Sequence, residues 1–208
     1  MTQVGRSEKV LIMRVFLSVL LLILSFQSWT KADDIRDFEI EGMSIGDSLL
    51  NHISKIQIDK LTKHFAYPNK QYYVFVIEKN YLNLNTFDFI QLDIKNNDFD
   101  YIVESISGFL DYQNQIKECH KKRKKIDNDI KESFKDLTID KYNKKHRSDK
   151  TEKSINYITE FIFKNSDTIV TICEDWSTHM ESKGYTDRLR VGIVPKKYYD
   201  WILNEAYN

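Results

Sequence analysis

The chain has 208 residues, 41% apolar and 13% aromatic, enough for one hydrophobic core and too few for two large ones. Basic and acidic side chains balance at 31 each, which argues against a dedicated nucleic-acid binder, whose domain would carry a basic excess. Lysine outnumbers arginine 24 to 7, and Ala, Gly and Pro together supply only 11 residues; this bias of A/T-rich codons makes lysine richness weak evidence for a basic functional surface.

Val15–Phe26 (VFLSVLLLILSF) is an uncharged run preceded by Arg14 and followed by the polar stretch Gln27–Ala32. A positive flank, a short apolar stretch and a polar end closing on a small residue mark a cleavable export signal, so residues 1–32 are read as a signal peptide. A start at Met13 would make it more compact. The run is shorter than the roughly 20 apolar residues that a spanning helix needs, and no cysteine follows it to carry a lipid. Its removal leaves 27 basic and 30 acidic side chains. Residues 33–208 are then expected to form a single exported domain, periplasmic or secreted.

Ser44 precedes IGDSLLNHISKI and predicts a helix N-capped by Ser44, with Asp47 in its first turn. Pro68 and Asn69 punctuate. QYYVFVIEK (71–79), FDFIQLDI (87–94) and DFDYIVESIS (98–107) read as strands, the last two joined at Lys95-Asn96-Asn97 and the run ended by Gly108. In 115–137, Ile116, Cys119, Ile126, Ile130, Phe134 and Leu137 recur at helical spacing, with a basic gap at Arg123, and predict a long amphipathic helix. Residues 138–153 are polar and read as an exposed loop. INYITEFIF (155–163) and DTIVTICEDW (167–176) are strands flanking Lys164-Asn165-Ser166. After a loop from Ser177 to Thr186, DRLRVGIV (187–194) is another strand. Pro195 opens a last helix with Tyr198, Trp201, Ile202 and Glu205-Ala206 on its inner side. The expected order is α-β-β-β-α-β-β-β-α, an α+β fold of antiparallel hairpins packed with helices. The two halves share a Lys-Asn-polar-Asp turn, at Lys95–Asp98 and Lys164–Asp167, which suggests an internal duplication.

Gly46-Asp47-Ser48-Leu49 matches the nucleophile block of the GDSL esterases, in which a serine is activated by a distant histidine. Ser48, Asp175 and His179 are the residues that would serve. The context is that of a helix start: no apolar strand precedes Ser48, and Trp176 occupies the position three before His179 where that family has its aspartate. Cys119 and Cys173 are the only cysteines, and an even pair in an exported chain predicts a disulfide. The five histidines lack metal-ligand spacing, so no metal and no cofactor is expected. The basic runs at Lys121–Lys125 and Lys144–Lys150 read as solvated surface.

Several segments together, FEIEGMSIGDSLL (38–50), ISGF (106–109), IKEC (116–119) and CEDW (173–176), resemble small exported proteins of AT-rich marine bacteria. That group has no assigned activity, so the resemblance implies export and supplies no site. Gly42-Met43-Ser44 at the expected helix start is similar to the small outer-membrane-assembly lipoproteins, though the lipid-bearing cysteine is missing. Two functions remain: a non-enzymatic binding or envelope-accessory module, which the lack of an acid/base set favours, and an esterase using Ser48, Asp175 and His179. The expected partner is an unidentified envelope protein or ligand, without nucleic acid and without strong membrane binding after signal removal.

Overall fold

The computed structural model describes residues 32–79 and 81–208; the expected signal peptide, residues 1–32, lies outside the described residues except for Ala32. Seven strands form one antiparallel sheet: β1 (Tyr72–Glu78), β2 (Phe89–Lys95), β3 (Val103–Asp111), β4 (Thr138–Lys145), β5 (Ile155–Ile162), β6 (Thr168–Asp175) and β7 (Arg188–Val194). Their spatial order is β1-β2-β3-β7-β6-β5-β4. Among the described residues four α-helices accompany them: α1 (Lys55–Ile58), α2 (Ile116–Ser133), α3 (Thr178–Glu181) and α4 (Lys196–Asn204). The architecture is α+β with sheet predominating.

Two meanders, β1–β3 and β4–β7, meet edge to edge where β3 pairs with β7. The shared turns agree in one detail: their third residues, Asn97 and Ser166, both take positive φ, 63° and 69°. The helices do not follow this likeness. α2, after β3, packs on β6 and β7, whereas α4, after β7, lies on the opposite face. A two-fold relating the strands therefore leaves the helices unmatched.

Side chains alternate across a strand, so each strand sends one set to each face. The inner face carries Tyr73, Phe75, Ile77, Ile90, Leu92, Ile106, Phe161, Ile169, Leu189, Val191 and Ile193, which form one core with Ile35, Ile40, Met43, Leu49, Ile53 and Ile58 of the N-terminal segment and with Cys119 and Ile130 of α2. Cys119 and Cys173 are fully buried there and form a disulfide, Cα–Cα 6.0 Å. It ties α2 to β6 across 54 positions of sequence.

The basic gap in the α2 stripe has a physical explanation. Arg123 turns toward the sheet and donates to the Tyr157 carbonyl. One turn on, Asp127 is buried and accepts from Thr159 Oγ1 (3.0 Å) and Thr171 Oγ1 (2.6 Å). A buried carboxylate needs such donors. Within the lysine run, Lys121, Lys124 and Lys125 are exposed, as a solvated face requires.

Four local readings are corrected. The helix expected from Ser44 is absent, because Gly42 and Gly46 take φ of 76° and 86° and turn the chain. Ser44 Oγ donates to the Phe38 carbonyl, and its N–H donates to Asp47 Oδ2; Ser48 and Ser54 cap the short helical turns Leu49–Asn51 and Lys55–Ile58 instead. Gly108 lies inside β3 rather than ending it, with the Phe87 ring 2.6 Å from where a Cβ would sit. Residues 138–153 are exposed as expected except His146 and Asp149, but Thr138–Lys145 is a strand, and α3 adds a short helix in the loop expected between β6 and β7. The observed order is thus α-β-β-β-α-β-β-β-α-β-α. What remains of the loop is folded around Asp149, which accepts from Thr151 N and Oγ1, Ser154 N and Oγ, and Ser177 Oγ at 2.7–3.0 Å. Burial opposes the charge on Asp149, but these donors hold its carboxyl far below the usual range.

Candidate functional site

The residues singled out for hydrolysis are not brought together. Ser48 bridges Ile102 just before β3; its hydroxyl donates to the Asp100 carbonyl at 2.5 Å and accepts from the Leu50 N–H. β3 and β6 run in the same direction on either side of β7, with Ile106 and Ile169 both opposite Ile193. Asp175 then lies about ten residues further along the sheet than Ile102, or roughly 30 Å at the rise of a strand. His179 follows on α3, exposed, at that same far end. Ser48 serves as a turn cap and faces no base. Among the described residues, no three His, Cys, Asp or Glu side chains are grouped so as to hold a metal ion.

The outer face of the sheet offers a different kind of site. α4 starts directly after β7, its first turn opened by Pro195, and folds back over this face. On the β1 side it is sealed: Tyr198 and Trp201 pack on Tyr72 with ring centroids 5.2 and 4.6 Å apart. On the β5–β6 side it roofs a groove of about 460 Å³. Such a volume falls within the roughly 300–1,000 Å³ of small-molecule sites. Its floor is apolar: Ile158 and Ile162 from β5, Val170 and Ile172 from β6, and Val194 from β7. Tyr142 of β4 and Tyr199 and Ile202 of α4 form the walls.

The polar groups of the groove are few and mostly engaged. The Tyr142 hydroxyl donates to Glu160 Oε1 at 2.9 Å. Burial and that carboxylate push the phenol pKa up, so it remains a donor at neutral pH. Lys196 pairs with Asp200 one turn along α4. Arg190 is held differently. Its Nε donates to Ser107 Oγ at 3.1 Å, and its guanidinium lies 5.8 Å from the centre of the Phe109 ring. Gly192 makes this possible, because an added Cβ would come within 2.8 Å of Ser107 Oγ and 3.3 Å of Val170 Cγ1.

Beside the groove the same face holds one buried carboxylate and one that is partly exposed. Asp93 is 3% exposed, with one oxygen lacking a hydrogen-bond partner among the described residues. Burial pushes its carboxyl up to about 6, opposed by Tyr198 and Arg190. Glu174 is likewise raised by burial, opposed by Arg190 and Arg188. Arg188 reaches Asp111 at 3.3 Å and Glu174 at 3.8 Å and lies over Phe89 and Phe109, which stack with their planes 8° apart.

None of the five histidines lines the groove, and Ser166 and Thr168 supply its only hydroxyls besides the two tyrosines. Sequence reasoning missed Arg190, Ser107 and Gly192 because they face one another only through the β3–β7 pairing. No family model, curated protein or solved structure matches the chain.

Proposed function

We propose that the chain is an exported, non-enzymatic binding module, periplasmic or secreted, whose ligand lies in the groove between α4 and strands β4–β7. The observation that carries this reading is the groove itself: an apolar floor on an otherwise polar protein, roofed by a helix and rimmed by a few oriented polar groups. Export is supported by the signal pattern in residues 1–32 and by a buried disulfide, which persists in oxidising compartments. Among the described residues, no helix is long and apolar enough to cross a membrane. An envelope-accessory role fits the same site, the ligand then being a molecule of the envelope. The esterase alternative loses its support with Ser48 at one end of the sheet and Asp175 and His179 at the other.

Nile red, a neutral dye that fluoresces in apolar surroundings, tests the groove. The purified protein should enhance its emission, and Ile172→Trp, which fills the floor, should abolish the enhancement while leaving the circular dichroism spectrum unchanged. Equal emission from both proteins would reject the site. N-terminal sequencing of exported material tests the location, and the expected first residue is near Asp33.

A further inference from the structure

From the arrangement around Arg190 we infer that the ligand of this groove is a small amphipathic acid, its carboxylate on the Arg190 guanidinium and its apolar body along Ile158, Val170, Ile172 and Ile202. The inference rests on the groove being a binding site and adds the chemical class of what it takes.

Four charged side chains line the groove: Glu160, Arg190, Lys196 and Asp200. Lys196 and Asp200 pair with each other, and Glu160 accepts from the Tyr142 hydroxyl. Arg190 uses one of its five N–H donors, on Ser107. Among the described residues its two terminal nitrogens meet no hydrogen-bond acceptor, and Asp93 and Glu174 feel its charge without approaching to ion-pair distance. The guanidinium is nonetheless positioned, by Ser107 at its inner nitrogen and by the Phe109 ring, whose centre lies 5.8 Å away. Anchoring at Nε leaves the end-on pair of terminal nitrogens, the fork that matches the two oxygens of a carboxylate. A positioned guanidinium loses little freedom on binding, which favours a specific anion.

The rest of the lining defines the body of the ligand. Isoleucine and valine side chains make the floor, and Ile202 lies on the helix side. No second free cation lines the groove among the described residues, so a monoanion fits and a polyanion such as a nucleotide does not. A medium-chain fatty acid has the required form, one charged end and an uninterrupted apolar length.

Decanoate and decanol share that length and differ in charge, so displacement of Nile red by each separates head from body. The expected result is that decanoate displaces the dye at a concentration at least tenfold below decanol. Arg190→Gln should erase that preference, weakening decanoate about tenfold and leaving decanol within twofold. Ser107→Ala, which keeps the charge but frees the guanidinium, should weaken decanoate by a smaller factor. Equal displacement by the two compounds from the unaltered protein would overturn the carboxylate inference while leaving the groove a binding site, and that comparison needs no variant to fold. Displacement by neither compound would likewise overturn it. If Ile172→Trp leaves dye and decanoate binding unchanged, the groove reading and the carboxylate inference fall together.

Discussion

Helix α4 meets the two halves of the sheet differently. Toward β1 it is a sealing element: Tyr198 and Trp201 are buried on Tyr72, and Tyr67 closes on Trp201 with ring centroids 5.1 Å apart. Toward β5 and β6 the same helix stands off, with Tyr199 exposed and Ile202 half-buried over a floor that nothing else covers. A nine-residue helix thus carries a stability face and a site face. The two are distinguished by what lies opposite: the large ring of Tyr72, which reaches up from β1, and short β-branched side chains that do not reach from β5 and β6. Ring size on the sheet sets where the roof touches and where it spans.

The largest effect should come from the sealed side. Trp201→Ala removes a buried ring and should cost about 3–5 kcal/mol of unfolding free energy in urea titrations. Tyr199→Ala, two positions away on the same helix, should cost less than about 1 kcal/mol. Similar costs would show that the two faces do not differ as the packing implies. Next in size is the disulfide under the β6–β7 region. Reduction, or paired replacement by alanine, should lower stability by about 2–4 kcal/mol. The unreduced, denatured protein should show no free thiol.

Asp93, under the sealed part of the outer face, gives a pH signature. Its folded carboxyl is raised to about 6 from an ordinary value of 3.8, so the folded state binds its proton more tightly than the unfolded chain. The associated stability is fully present below the unfolded value and is lost as pH rises through about 6. Asp93→Asn should therefore flatten the stability profile between about pH 4 and 6, measured by thermal unfolding across that range. A profile as steep as that of the unaltered protein would place the titration elsewhere. The smallest effects belong to β4. All eight of its residues are exposed, so Ile139→Ser and Tyr142→Phe should each shift stability by about 0.5 kcal/mol or less.

That last strand also marks where the sequence stopped being legible. Strands β5, β6 and β7 and helix α4 announce themselves because each buries a periodic apolar face, and the pattern of burial is what periodicity records. Thr138–Lys145 buries nothing and shows no such pattern; it is a strand because β5 offers it a full ladder from Thr138 opposite Ile162 to Lys145 opposite Ile155. The segment after Ser44 failed for the opposite reason. Its apolar spacing suits a helix, but Gly42 and Gly46 take conformations that end one. The long helix was legible apart from Asp127, whose burial depends on threonines from two strands more than thirty positions away. The cysteine pair could be proposed from number alone. The groove could not, since its floor, roof and arginine come together only after both meanders have joined at β3 and β7.

The Cys119–Cys173 bond has a consequence for how the chain withstands a protease. Between its two ends lie β4, β5 and the turn that joins them, in which Arg147, Ser148, Lys150, Thr151, Glu152 and Lys153 all face solvent. That turn is the natural place for a protease to cut, and its lysines suit a trypsin-like enzyme. A cut there severs the backbone without dividing the molecule, because both new ends remain tied through the sulfurs and through the β4–β5 ladder. The nicked protein stays one covalent particle that separates into two pieces only after reduction.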